Sequence, residues 1–199
     1  MIAPHCMTAF SSAAYEQQSG RPMTRLTDYA SYADAQAHGN SGALWNLFDG
    51  DRDYLNIAHE CMIRHADGTS RTAVRIAHAD GTDEILSFDD IAAGSARFAH
   101  WLVENGIKPG DRIAFMLEPS LPFYISLFGA MMMGAISVPL FTLFGLDGLR
   151  LRVDDCKPQL LVTNAEKADV ANQIEGVRVV VADAGLLDEI KRFPSSYKT

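Results

Sequence analysis

Hydrophobic and polar positions change their period along the chain, and these changes predict the helices and strands. From Phe88 to Gly106 the apolar positions follow a helical period, with Ser87 and Asp90 typical of a helix start and the glycine typical of its end. The residues predicted to share the apolar face of this helix are Phe88, Ile91, Ala92, Phe98, Ala99, Leu102 and Val103. Further helices are predicted at 27–38, 54–65, 122–133, 146–155, 165–174 and 186–193, and strands at 72–77, 84–88, 113–117, 136–141, 160–163 and 177–181.

The order of these elements predicts the fold class. Asp80-Gly81 between the first two apolar runs is typical of an antiparallel hairpin, whereas the later strands are separated by helices. We therefore expect an α/β fold: a mainly parallel sheet with helices on both faces, preceded by N-terminal helices and a β-hairpin. The pattern includes no closing element after the last helix, which indicates an incomplete lobe of a larger fold. Residues 1–26 lack a clear period and are expected to be a disordered extension, with residues 27–199 forming the partial lobe.

The stretch from Leu121 to Leu146 contains no charged residue, which raises the question of a transmembrane helix. Pro139 and Gly134 argue against one, because a helix that ends at a glycine and is followed by a strand cannot satisfy its backbone in lipid. We interpret the stretch as a buried helix followed by a buried strand, and we predict no transmembrane segment.

Composition indicates which class of partner is disfavoured and which cellular compartment is favoured. The 199 residues include 17 Lys and Arg against 25 Asp and Glu, a formal net charge of −8, and 48% are hydrophobic. This is a globular composition, and its acidic balance disfavours nucleic acid, whose phosphates require basic surface. The three cysteines, Cys6, Cys61 and Cys156, are widely separated and odd in number, which favours a reducing compartment and a cytoplasmic location.

Spacing alone identifies no active site. The sequence contains neither GxxxxGK[ST] nor GxGxxG, which excludes the two common glycine-rich phosphate loops. Cys61 and His65 are four residues apart on a predicted helix, where they could share one face as metal ligands or as a thiol–imidazole pair. The ordinary alternative is a partly buried cysteine beside a surface histidine, since two ligands do not complete a metal site.

Several short motifs occur in a specific order along residues 45–181. They are Leu86-Ser87-Phe88, Gly106-Ile107-Lys108-Pro109-Gly110-Asp111-Arg112, Gly134-Ala135 with Val138-Pro139, and Asp155-Cys156-Lys157-Pro158 before Leu161-Val162-Thr163. With these motifs, the segment at residues 87–141 resembles the N-terminal lobe of AMP-forming acyl-CoA synthetases, the adenylate-forming ligases. Leu55-Asn56-Ile57-Ala58 resembles the start of the acetyl- and medium-chain types.

The resemblance implies a two-step ligase in which a carboxylic acid reacts with ATP to give an acyl-adenylate and pyrophosphate, and CoA then displaces AMP. ATP, Mg²⁺ and CoA are implied for the complete enzyme. The family's phosphate-binding loop, ribose-binding aspartate and catalytic lysine have no counterpart in these 199 residues. The chain is therefore expected to be the N-terminal portion of such a ligase, truncated before the phosphate loop and inactive in isolation, with the remainder of the ligase as a partner. No catalytic or metal residue is assigned.

One cofactor-binding segment follows from the resemblance. Phe141, Thr142 and Leu143 occupy the place where acetyl-CoA synthetase-like members have Phe-Gly-Gly beside the pantetheine of CoA and the nucleotide, and only Phe141 matches. The alternative is a strand end packed under a loop. Arg150 and Arg152 could reach CoA phosphates, or they could belong to a solvated helix face.

Two other functions remain open from the sequence. The chain could be a non-catalytic binding or interaction module derived from such a ligase. It could also be a small α/β protein that binds a nucleotide or CoA, which the fold class alone suggests.

Overall fold

A computed structural model describes residues 29–39 and 41–199, so the predicted extension at residues 1–26 lies outside the described residues. The chain divides into two compact units, residues 1–55 and 56–199. The described part of the first unit contains two short helices, α1 (Tyr32–His38) and α2 (Ser41–Trp45).

The second unit contains the hairpin and the sheet. Its elements are α3 (Ile57–Cys61), a 3₁₀ turn (Ile63–His65), β1 (Thr72–Ala77), β2 (Asp83–Ser87), α4 (Phe88–Glu104), β3 (Arg112–Met116), α5 (Leu121–Met132), β4 (Ile136–Pro139), α6 (Leu146–Cys156), β5 (Leu160–Thr163), α7 (Ala168–Ala171), β6 (Arg178–Val181) and α8 (Ala184–Ile190).

The predicted hairpin is confirmed. β1 and β2 pair in antiparallel register, and Gly81 adopts a φ of 85° in the turn, a conformation that glycine reaches without steric cost. The amide and hydroxyl of Thr82 both donate to a carboxylate oxygen of Asp80, at 2.9 and 2.7 Å. The turn is therefore closed by its own side chains.

The predicted parallel sheet is also confirmed. Its four strands lie in the order β4-β3-β5-β6, and each neighbouring pair is parallel. The chain leaves β3 toward one side to form β4 and then returns past β3 to form β5. Right-handed crossovers in these opposite directions place α5 and α6 on opposite faces of the sheet. One face packs against α4, α5 and α8 and the other against α6 and α7, which gives the two-sided α/β fold expected from the sequence.

Both predicted ends of α4 are confirmed. The Ser87 hydroxyl accepts a hydrogen bond from the Asp90 amide at 3.0 Å and so satisfies an orphan donor of the first turn. At the other end Gly106 has a φ of 80°, and the amide of Ile107 returns to the carbonyl of Leu102 at 3.0 Å. This is a glycine-terminated helix with the hydrophobic residue following the glycine.

The prediction of the buried face of α4 was wrong at Val103, which is 49% exposed. The fully buried stripe follows Ile91, Ser95, Phe98 and Leu102, a spacing of three to four residues. Val103 lies outside the buried residues of α4, which also include Ala96, Ala99 and Trp101, and it faces solvent.

The uncharged stretch divides into α5 and β4, and among residues 29–39 and 41–199 no helix has the length and hydropathy to cross a bilayer. Gly134, with a φ of 85°, ends α5. The prediction of a buried strand at 136–141 was wrong in two respects. β4 stops at Pro139, and it lies at an edge of the described sheet with Ile136 half exposed. Proline is accommodated in an edge strand because its missing N–H removes no ladder bond there.

The helix predicted at 165–174 is also shorter than expected. α7 covers only Ala168–Ala171. The turns after it use bonds between residues three apart, such as the Ile174 amide to the Ala171 carbonyl at 3.1 Å. Hydrogen bonding of this tighter type does not extend an α-helix.

Candidate functional site

The carboxyl ends of the four parallel strands meet at one edge of the sheet, which we call the carboxyl edge. It is formed by the residues that follow Met116, Pro139, Thr163 and Val181. The chain reverses its direction of strand addition between β3 and β5. In open α/β sheets, ligands bind beyond the carboxyl ends of the strands at such a switch point. The carboxyl edge is therefore the candidate site.

The strand ends at the switch point are joined by a buried polar contact. Thr163 is fully buried, and its hydroxyl donates to the carbonyl of Met116 at 3.1 Å. The next residue along β5, Asn164, accepts the Lys167 amide at 2.9 Å and so starts the following turn. Both side chains form hydrogen bonds with backbone groups of the chain, so their role at the carboxyl edge is structural.

The predicted cofactor-binding segment lies in the loop between β4 and α6 (residues 140–145, the β4–α6 loop). Phe141 is 62% exposed and Leu143 is 76% exposed, whereas Thr142 between them is only 7% exposed. The ring of Phe141 lies 6.0 Å from that of Phe144 in an edge-on contact. The loop thus presents two apolar side chains to solvent at the carboxyl edge, and their contact with CoA stays a prediction.

Glu118 belongs to the candidate site and was not predicted from the sequence. It follows β3, and its carboxylate accepts a hydrogen bond from the Thr142 hydroxyl. An acidic residue directly after a predicted buried parallel strand was the available signal, because the strand's carboxyl end points to the ligand-binding edge of such a sheet. Its partner could not be predicted, since the two residues are 24 positions apart.

Two cations lie on α6 beside this loop, and both are exposed. The Arg150 guanidinium is 3.7 Å from the Asp147 carboxylate, which is a solvated ion pair within one helix. The Arg152 guanidinium lies 4.5 Å from the centre of the Phe144 ring. The Arg150 contact is typical of a solvated helix face, whereas Arg152 packs against a side chain of the β4–α6 loop, and a contact with CoA phosphates stays a prediction for both.

Within the described part of the chain, Cys61 and His65 belong to no group of three potential metal ligands. His65 lies in the 3₁₀ turn with its ring 5.2 Å from that of Phe88, and Cys61 is exposed at the end of α3. Across the described ranges, no group of three His, Cys, Asp or Glu side chains is placed to hold a metal ion.

Three of the segments that carry the family resemblance, at residues 106–112, 134–135 and 155–158, meet at the opposite, amino edge of the sheet. The turn within residues 106–112 places the amide of Gly110 2.8 Å from the carbonyl of Gly134, at the exit of α5. From the same turn, Arg112 donates through Nε to the carbonyl of Cys156, at the exit of α6. These contacts are structural joints between helices and strands at the amino edge, whereas Pro139 and Thr163, which belong to motifs of the same resemblance, end β4 and β5 at the carboxyl edge.

The motif Leu55-Asn56-Ile57-Ala58 also contacts the end of α5, through Asn56. Asn56 accepts the amides of the first turn of α3 through its side-chain oxygen, and its side-chain nitrogen donates to the carbonyls of Met131 and Met132, each at 3.2 Å. One amide side chain thus starts α3 and caps the end of α5.

Comparison with known proteins gives the same family at the level of sequence and of fold. The family model described as AMP-binding enzyme matches residues 64–196. The acetyl-coenzyme A synthetase of Leptospira biflexa serovar Patoc is 29% identical over 142 residues, which are 70% of this chain and 21% of that protein. The acetyl-coenzyme A synthetase of Bacillus subtilis is 30% identical over 114 residues, 56% of this chain and 20% of that protein.

Solved structures of acyl-CoA synthetases are similar to this chain in fold. The acyl-CoA synthetase of Brucella canis superposes with a TM-score of 0.74 and 27% identity, over 84% of this chain and 33% of that one. A fatty acyl CoA synthetase of Mycobacterium tuberculosis shares the fold at a TM-score of 0.59 and 20% identity, over 70% of this chain and 29% of that one. The chain spans about a fifth of the length of the acetyl-coenzyme A synthetases and a third of the Brucella canis chain.

Proposed function

Because the chain belongs to the AMP-binding enzyme family, we propose that it is the N-terminal portion of an AMP-forming acyl-CoA synthetase. The complete enzyme would convert a carboxylic acid, ATP and CoA into acyl-CoA, AMP and pyrophosphate. The observation that carries the proposal is the family match, which spans the hairpin and the whole parallel sheet. We further propose that residues 27–199 form part of the N-terminal lobe.

We propose that this chain supplies the support for catalysis and one contact with CoA. Phe141 and Leu143 would contact the pantetheine arm, since they are the exposed apolar side chains of the β4–α6 loop. Thr142 would act from beneath them, because it is buried. Apolar surface at the mouth of a site, with a few polar groups behind it, is the usual composition of a cofactor pocket.

The residues that bind ATP and Mg²⁺ are proposed to lie in parts of the family fold other than these 199 residues. Among residues 29–39 and 41–199, no three carboxylate, His or Cys side chains converge, as a site made of protein ligands alone would require. We therefore assign no step of metal chemistry to this chain.

The partners follow from the same proposal: a small carboxylic acid, CoA and the remainder of the ligase, with no nucleic acid. A cytoplasmic location is proposed from the odd number and wide spacing of the cysteines.

A segment exchange tests the proposed function. Residues 64–196 replace the matching segment of the Brucella canis acyl-CoA synthetase, and carboxylate-dependent release of pyrophosphate from ATP is measured with a panel of acids. A chimera with the matching segment of the Mycobacterium tuberculosis fatty acyl CoA synthetase serves as the control. We expect turnover by both chimeras and none by the 199-residue chain alone. A folded chimera that is inactive while the control turns over would contradict the proposed function.

A further inference from the structure

Glu118 and Thr142 come together because the two strands they follow are neighbours. Glu118 follows β3, which ends at Met116, and Thr142 follows β4, which ends at Pro139. Parallel pairing of β3 with β4 brings both following loops to the carboxyl edge. The hydroxyl of Thr142 donates to the Glu118 carboxylate across this junction.

The β4–α6 loop alternates between buried and exposed side chains. Leu140 and Phe144 are partly buried against the core on the α6 face, and Thr142 is buried between them. Phe141 and Leu143 therefore point away from the core and are exposed.

Other contacts fix the two ends of the loop. The amide of Leu140 donates to the carbonyl of Phe115 at 2.7 Å, which continues the pairing with β3. Near the second end, the amide of Phe144 donates to the carbonyl of Phe141 at 3.2 Å. The hydrogen bond of Thr142 holds the middle of the loop, between the two exposed side chains.

We propose that Glu118 and Thr142 are positioning residues, whose hydrogen bond holds Phe141 and Leu143 in the orientation that contacts CoA. This inference rests on the proposed function for its ligand, but not for its effect on the loop. Neither residue touches the ligand through the groups that form this bond. Their contribution is to reduce the conformational freedom that CoA binding would otherwise have to remove.

Two substitutions of Thr142 distinguish the effect of its hydroxyl from the effect of its size. Thr142→Val keeps the size and branching of the residue and removes the donor, whereas Thr142→Ser keeps the donor. Glu118→Gln keeps the size of the acceptor and removes its charge. A hydrogen bond to a charged group is about twice as strong as a neutral one, so we expect CoA affinity about fivefold to tenfold weaker in Thr142→Val.

The experiment measures CoA binding to the full 199-residue chain by calorimetry, together with amide hydrogen exchange of residues 141–144 without ligand. Trp101→Phe is the matched control, because Trp101 is a buried donor to a different carboxylate, that of Glu189, at 2.8 Å. We expect Thr142→Val and Glu118→Gln to raise exchange in the loop and weaken CoA binding. Thr142→Ser should keep the loop exchange and the CoA affinity of the unsubstituted chain, and Trp101→Phe should change neither quantity.

The outcomes separate this inference from the proposed function. Unchanged loop exchange in Thr142→Val overturns the inference, as does failure of Thr142→Ser to restore CoA affinity. If the unsubstituted chain binds no CoA, the proposed CoA contact is wrong. In that case, amide hydrogen exchange of residues 141–144 in Thr142→Val and Glu118→Gln still shows whether the hydrogen bond holds the loop.

Discussion

The crossing of α4 and α5 depends on a glycine, and replacing that glycine tests the packing directly. Gly129 lies in the C-terminal half of α5. A Cβ atom at this position would lie 2.8 Å from the backbone oxygen of Ser95 and 2.9 Å from Cδ1 of Phe98, both on α4. A Cβ atom does not approach a non-bonded heavy atom this closely in folded proteins, and a backbone oxygen cannot move unless the helix moves with it. Gly129→Ala should therefore push α5 away from α4.

Two opposing terms set the size of the effect. Overpacking a dense core typically costs about 1–3 kcal/mol, because neighbouring side chains leave their preferred rotamers. Alanine in place of glycine within a helix returns about 1 kcal/mol, since the unfolded chain loses less entropy on folding. Because Phe98 is fully buried, it has little freedom to move aside. We expect a net loss of about 1–2 kcal/mol in the free energy of unfolding.

The chain offers a matched control on α6. At Gly148 a new Cβ would lie 3.4 Å from the ring of Phe144, which is ordinary van der Waals contact. Gly148→Ala should therefore leave stability unchanged or raise it by up to about 1 kcal/mol. Urea unfolding followed by circular dichroism measures both variants. If Gly129→Ala is as stable as Gly148→Ala, the two helices do not cross as closely as described.

Two further predictions concern titratable groups. Hydrogen bonds from the Thr82 hydroxyl and amide lower the pKa of Asp80, so its carboxylate stabilises the fold above the unfolded pKa and this contribution is lost as the pH falls through the lower, folded pKa. In Thr82→Val the pKa of Asp80 should rise toward its ordinary value by NMR titration, and an unchanged titration would show that the hydroxyl bond is absent in solution. Burial raises the pKa of the Cys156 thiol, so at mildly alkaline pH iodoacetamide should modify Cys156 more slowly than exposed Cys61, as measured by peptide mass spectrometry. Equal rates at the two cysteines would contradict the burial of Cys156.

The elements that local chemistry defines could be predicted from the sequence. The hairpin follows from Asp80-Gly81, and the start and end of α4 follow from Ser87 and Gly106. In each case the deciding interactions are hydrogen bonds or backbone angles within a few residues. The alternation of strands and helices then limits the sheet to a parallel one.

Features set by the order of the strands could not be predicted in this way. The burial of β4 depends on whether a strand covers its second edge, and nothing within Ile136–Pro139 specifies that. The same holds for Glu118 and Thr142, which meet only because β3 and β4 are neighbours. Local patterns define elements, whereas the site depends on their arrangement.

The contacts that join helix exits to strand starts lie at one edge of the sheet, and the candidate site lies at the other. Gly110, Gly134 and Arg112 join helix exits to strand starts at the amino edge, and Phe141 and Glu118 lie at the carboxyl edge. The two edges are separated by the length of strands whose side chains are buried in the two cores. A variant at the amino edge should therefore lower the free energy of unfolding without changing amide hydrogen exchange in the β4–α6 loop. Thr142→Val should raise exchange in that loop and leave the free energy of unfolding unchanged. Stability and CoA contact therefore need separate experiments, because a variant at the amino edge tests the joints of the fold and not the candidate site.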